Sequence, residues 1–126
     1  MTVEDLGHEA ADLVSLSLGE AKSLSKLAEL AVRQVPGCAA AHATIWRDGE
    51  LTAMAASHPD PAELADLETS TGPGPLVTAV REGRPVSCRD ALDEERWPWW
   101  AAEALRRGLR SSVHLVRKSS STALVL

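Results

Sequence analysis

Three of the chain's four tryptophans crowd around one proline, Trp97-Pro98-Trp99-Trp100, in a sequence that has no Phe and no Tyr. Hydrophobic residues make up 44% of the chain and aromatic ones only 3%. Ala, Leu and Val must therefore fill most of the interior, and the tryptophans supply its only bulk. Rings concentrated in this way suit a ligand platform, a partner-binding surface or core filling. Pro98 fits the first turn of a helix, with Trp97 as a capping or extended residue just before it. Trp99 and Trp100 then lie about 100° apart around the axis. Trp100 shares its side with Ala101 and Ala104, the side expected to pack. Trp99 shares its side with Glu103, Arg106 and Arg107, the side expected to be wet. Trp97 and Trp100 are read as core, and Trp99 as the ring left over for a partner.

At 126 residues the chain suits one domain with one sizeable core. A net charge of −5 argues against a nonspecific grip on nucleic-acid phosphates, so no nucleic-acid partner is expected. The apolar runs fall far short of the roughly 20 residues of a membrane span, and no membrane contact is expected. The start, "MTVEDLGHEAADL", is acidic and lacks a signal peptide's basic-then-apolar order, so a cytoplasmic location is expected. Cys38 and Cys88 form no C-x-x-C and no zinc pattern; two small buried thiols in a reducing cytosol are the plain reading. No metal and no cofactor are expected.

Residues 2–35 carry helical spacing, with Thr2 as cap, Leu6, Ala10 and Leu13 in a first piece, and Leu24, Leu27, Ala28, Ala31 and Val35 in a second. Gly19 and the serines around it predict a break near residues 17–22, and Pro36-Gly37 a stop. Asp48-Gly49 between two extended stretches predicts a hairpin, with strands at about 40–47 and 51–57. Short helices are expected at 61–69 and from Pro75 to the Gly83 stop, separated by the turn "TGPGP". "RPVSCRD" reads as a third strand, "EERWPWWAAEALRRG" as mostly helix, and "LRSSVHLVRKSSSTALVL" as two strands around a Lys-Ser-Ser-Ser turn. Hairpins without repeated βα units point to an α+β fold with an antiparallel sheet.

The pieces "VPG", "WRDGELTAMAASHP", "TGPGPLVTAVREGRPVSCRD" and "ERWPWWAAEALRRGLRSSV", in this order, resemble a GAF domain of the kind found in actinobacterial sensors. The resemblance covers about residues 23–126. It implies a PAS-like central antiparallel sheet of five to six strands with helices on both sides, lacking the usual C-terminal helix because the chain stops at "TALVL". It also implies a non-catalytic sensor or regulatory domain of signal transduction or transcription control, often fused to RNA-binding ANTAR, kinase or phosphatase modules that are not visible here. Such domains bind small molecules between sheet and helices. The expected pocket residues are Trp46, Met54, Leu67, Leu76, Val77, Val86 and Cys88, which serve equally well as core. Residues 1–22 are the expected dimerisation helix, with Leu6, Leu13, Leu16 and Leu24 as its seam. The alternative is a ligand-free interaction module.

Three departures from the family pattern bear on ligand recognition. Leu76 stands where related domains often have Cys, Glu68 where a Gln is frequent, and Val116-Arg117 where a Pro-Leu pair is common. Some GAF domains reduce methionine sulfoxide with a cysteine near the glycine-rich turn; here only Cys88, beside Arg89, offers a thiol for such chemistry. Neither cysteine has the His neighbour that bilin attachment uses. His42, His58 and His114 are available as haem ligands, although His42 and His114 lie in predicted strands where a histidine usually packs. There is no G-x-S-x-G elbow. "TGPGPL" lacks the Gly-Lys-Ser/Thr ending of a phosphate loop, and its prolines remove amide donors.

Overall fold

The computed structural model describes residues 19–126. Leu6, Leu13 and Leu16 lie outside the described residues, as does the expected first helical piece. The chain folds as α1 (Glu20–Gln34), β1 (His42–Arg47), β2 (Glu50–Ala56), α2 (Pro59–Thr71), α3 (Pro75–Glu82), β3 (Val86–Cys88), α4 (Pro98–Arg106), β4 (Ser112–His114), β5 (Val116–Ser119) and β6 (Thr122–Val125). The α+β class agrees with the sequence.

β1 and β2 form the expected hairpin. Asp48 and Gly49 both have positive φ, 54° and 80°, the type I′ geometry whose twist matches the flanking strands. Thr52 is squeezed out of register, because Ile45 opposes Ala53 and Trp46 opposes Leu51. Its hydroxyl donates to the Ile45 carbonyl at 3.1 Å and secures the bulge.

The sheet differs from expectation. A single sheet of five to six strands is replaced by an antiparallel four-stranded sheet, β2-β1-β6-β5, and a two-stranded ladder, β3-β4. The cause lies at Leu115. The sequence reads "LRSSVHLVR" as one strand before a Lys-Ser-Ser-Ser turn, but the segment changes partner there: β4 pairs only with β3, and β5, which takes in Lys118 and Ser119 of the expected turn, pairs only with β6. Leu115 itself exchanges both backbone hydrogen bonds with Leu126 at 2.8 and 2.9 Å.

Strand alternation divides the interior into two cores. Ala43, Ile45 and Leu124 meet Leu24, Leu27 and Ala31 of α1 on one face. Thr44 and Trp46 of β1, with Ala123 and Val125 of β6, point to the other face, where α2, α3 and α4 pack. Helices thus cover both faces of the sheet. Leu24, expected on a dimer seam, is fully buried against its own sheet and presents no side chain to a partner.

The tryptophans serve mainly as that second core. Trp46 donates its indole N–H to Thr44 Oγ1 at 2.9 Å, and the Thr44 hydroxyl donates to the Val125 carbonyl at 3.1 Å, so both buried polar groups are satisfied within the sheet. Trp97 is the N-cap residue of α4 and meets Trp100 edge-on, with ring centres 6.4 Å apart. The Arg96 guanidinium sits 4.2 Å over the Trp97 ring and donates to the Glu94 carboxylate and the Ser87 carbonyl. Trp99, expected on the wet side, is half-buried and packs on the same core.

Gly49→Ala is expected to destabilise the fold by about 1–2 kcal/mol, the cost of a left-handed backbone with a Cβ. A urea midpoint equal to that of the parent chain would contradict the turn assignment.

Candidate functional site

The "TGPGP" segment builds one wall of the interior. Gly74 is the N-cap of α3, and Pro75 at its first position has no N–H. The three amides left at this helix start all donate to one carboxylate reaching over from α2. Gly74 N and Val77 N bond Glu68 Oε1 at 2.7 and 3.0 Å, and Leu76 N bonds Oε2 at 3.2 Å. Glu68 is 3% exposed. Burial pushes its carboxyl up to about 7, against the downward pull of the three amides. A Cβ on Gly74 would come within 2.7 Å of Glu68 Cδ and 2.9 Å of Trp100 Cδ1, so only glycine fits. These amides are already taken by a side chain, which removes the anion nest that a phosphate loop would need.

Two clefts flank this wall. One, of about 680 Å³, opens between the start of β1 and β4, with α1, α2 and α4 contributing Ala31, Leu64 and Trp100 to its lining. His42 and His114 both line it and lie in ring contact, ring centres 5.4 Å apart and planes tilted by 45°. Both are more than nine-tenths buried, yet neither Nδ1 has a hydrogen-bond partner, and the buried Ser112 hydroxyl also lacks one. Native interiors leave few such groups unpaired. Desolvation holds His42 down at about 4. It holds His114 down at about 3, where the neighbouring His42 adds to the effect, so both rings are neutral at pH 7. The strands fix the rings in place. Ser57 clasps Ala41, just before His42, by donating its own N–H and accepting that of Ala41, at 2.8 and 2.9 Å. Val86 pairs with His114 on the other side.

The second cleft, of about 750 Å³, lies by the hairpin and is lined by Trp46, Val77, Arg81 and Lys118 among others. Its polar rim groups are already solvent-facing, so the first cleft is the stronger candidate site.

The expected pocket residues are scattered. Cys88 lines the histidine cleft, and Trp46 and Val77 line the hairpin cleft. Leu76 and Val86 are buried in the second core, Met54 packs half-buried against it, and Leu67 is half-buried on α2 and lines neither cleft. Cys88 is 1% exposed; burial, followed by the Glu94 carboxylate, pushes its thiol up to about 11. A reactive thiolate needs the opposite shift. Arg96, rather than the adjacent Arg89, is the cation that acts on this group.

His42 and His114 were nameable from the sequence only as isolated strand histidines. Their meeting follows from strand pairing between distant segments, which leaves no local signal. Trp100 and Ser112 as lining residues were missed for the same reason. His58 is exposed, with Nδ1 2.7 Å from Ser57 Oγ, and takes no part in the cleft. No cluster of three or more His, Cys, Asp or Glu able to hold a metal ion occurs among the described residues. No described helix is long and apolar enough to cross a membrane. No family model, curated protein or solved structure matches the chain.

The two kinds of buried group respond oppositely to pH. The unfolded histidines titrate near 6.5 and bind more protons than the folded ones, so their contribution is full above that pH and is lost on acidification towards 4. The shift of His42 alone corresponds to a loss on the order of 3 kcal/mol. Glu68 is raised instead: its contribution is full below 4.5 and is lost as pH rises through about 7. Glu68→Gln removes that counterweight. The variant is expected to lose stability more steeply than the parent between pH 7 and 5 in urea melts, and a parallel pair of curves would contradict this.

Proposed function

We propose that this chain is a non-catalytic regulatory domain of the GAF type that binds a small molecule in the cleft between β1 and β4. The observation that carries the reading is the pair of buried imidazoles with unpartnered Nδ1 atoms lining a cleft of about 680 Å³. That volume is within the range of small-molecule sites, and a few convergent polar groups on apolar walls are their usual chemistry. The helices on both faces of an antiparallel sheet, and the ordered sequence pieces, support the family resemblance. The absence of an activated thiol argues against the reductase alternative.

Burial favours the neutral imidazoles, so the ligand group that meets them is an uncharged hydrogen-bonding one, such as an amide, a hydroxyl or a heterocycle edge. Leu64 and Trp100 suit an apolar body. An anion would have to enter together with a proton.

The test is thermal denaturation in EDTA against a panel of nucleosides, amides, phenols and carboxylic acids, with native mass spectrometry of the purified protein. At least one uncharged compound is expected to raise the midpoint. At a hundredfold excess over Kd the stabilisation is about 2.7 kcal/mol, and it should vanish in His42→Leu. A panel without any shift, together with a spectrum showing only the apoprotein mass, would overturn the reading.

A further inference from the structure

We infer that the ligand of this cleft is an extended peptide of about four residues, bound as a β-strand between β1 and β4 and antiparallel to both. The inference rests on the ligand-binding reading above and names the class of ligand.

Backbone direction is the first support. In an antiparallel ladder the N–H and C=O of one residue point to the same edge of the strand, and successive residues alternate edges. Ala41 turns both groups to the β2 side, accepting from Ser57 N–H at 2.8 Å and donating to Ser57 Oγ at 2.9 Å. Asp48 donates to the Ser121 carbonyl at 2.9 Å, so the even-numbered residues of β1 serve the opposite edge. β6 takes up that edge only from Thr44 to Arg47. The N–H and C=O of His42 therefore open into the cleft. On the other wall, Leu115 turns both of its groups to Leu126. Val113, two residues earlier on the same line, turns its own groups the same way, away from β3 and into the cleft.

Spacing is the second support. β1 and β5 flank β6 and so stand about 9.5 Å apart, and β4 runs on in the line of β5. That width admits one strand. Residues 39–42 form one wall of the cleft and residues 111–114 the other, which matches about four residues, or roughly 13 Å, of extended chain. The first peptide residue bonds His42, the second Val113, and the third reaches Ala40. The imidazoles meet on one face of the first residue, which leaves room there for Gly or Ala. The second residue turns to the α1 face, where Ala31 and Val35 line the cleft and the Val113 side chain is 58% exposed, so an apolar side chain covers it.

Charge is the third support. A peptide antiparallel to β4 brings its C-terminal end to Ser111, where Arg89 and Arg110 line the cleft. Arg110 is held by Asp90, and Arg89 has no ion pair among the described residues. A carboxylate suits this end, away from the imidazoles.

The probe is acetyl-Ala-Val-Thr-Val with a free carboxylate, titrated into the isotope-labelled chain and followed by NMR and calorimetry. One peptide per chain is expected, with the His42 and Val113 amides shifting most. N-methylation of the first or the second peptide residue removes the bond to His42 or to Val113, and each should weaken binding about tenfold. Capping the carboxylate as an amide should weaken it about threefold, an effect that salt diminishes. The main chain makes the bonds, so replacing Val by Ile in the peptide should change little. Val113→Pro removes the cleft-facing N–H and should also weaken binding about tenfold. Far-UV circular dichroism checks that this variant folds, and the methylated peptides decide if it does not. No saturable binding at millimolar peptide, methylation without effect, or shifts confined to the outer edges of β2 and β5 would overturn the inference. An uncharged compound that stabilises the chain while the peptide fails to bind would remove the peptide and leave the small-molecule reading intact.

Discussion

The Glu68 carboxylate is the point on which the helical layer depends. It comes from α2, satisfies every amide donor available at the start of α3, and lies where Trp100 of α4 closes over Gly74. Three helices are thereby indexed to one another through a single side chain. An alkyl residue in its place would leave three amides without partners, each costing about 1–3 kcal/mol when buried. The acid also carries a burden of its own, because desolvation raises its pKa towards neutrality. Gln in its place would relieve that burden but turn an amide donor towards one of the three N–H groups.

The same economy appears in the tryptophans. A core of alanines and short aliphatics leaves space that only a few large rings can fill. Trp46, Trp97 and Trp100 do so on one face of the sheet. On the other face, α1 closes the core without any aromatic residue, using Leu24, Leu27 and Ala31 against Ala43, Ile45 and Leu124. The asymmetry explains the crowded Trp-Pro-Trp-Trp stretch. It is the thick half of the interior, anchored outside by Arg96 held between Glu94, Ser87 and the Trp97 ring. A platform for ligands is not needed to account for it.

The cleft arises where this regularity stops. β4 and β5 are nearly one strand, yet the change of partner at Leu115 separates the two-stranded ladder from the main sheet. Between them two histidines are buried without the hydrogen bonds their environment demands. Buried polar groups left unsatisfied are costly, and sites that tolerate such a cost are commonly those that bind something. The binding reading draws on this one departure.

Much of the scaffold was legible in the sequence, for local reasons. Asp48-Gly49 can adopt positive φ and so declares a hairpin. Pro75 and Pro98 open helices because an N1 position needs no N–H, and Pro36-Gly37 and Gly83 close them; α2, expected from residue 61, begins two residues earlier at Pro59. The apolar spacing of residues 24–31 marks the buried side of α1. What the tertiary structure alone decided was non-local. Leu76 and Val86, apolar and well placed for a pocket, went to the core because nothing in their spacing distinguishes a filled interior from an empty one. The break at Leu115 depends on which neighbour each half of a strand finds. The meeting of His42 with His114 comes from pairing between segments far apart in the chain, where no local propensity acts.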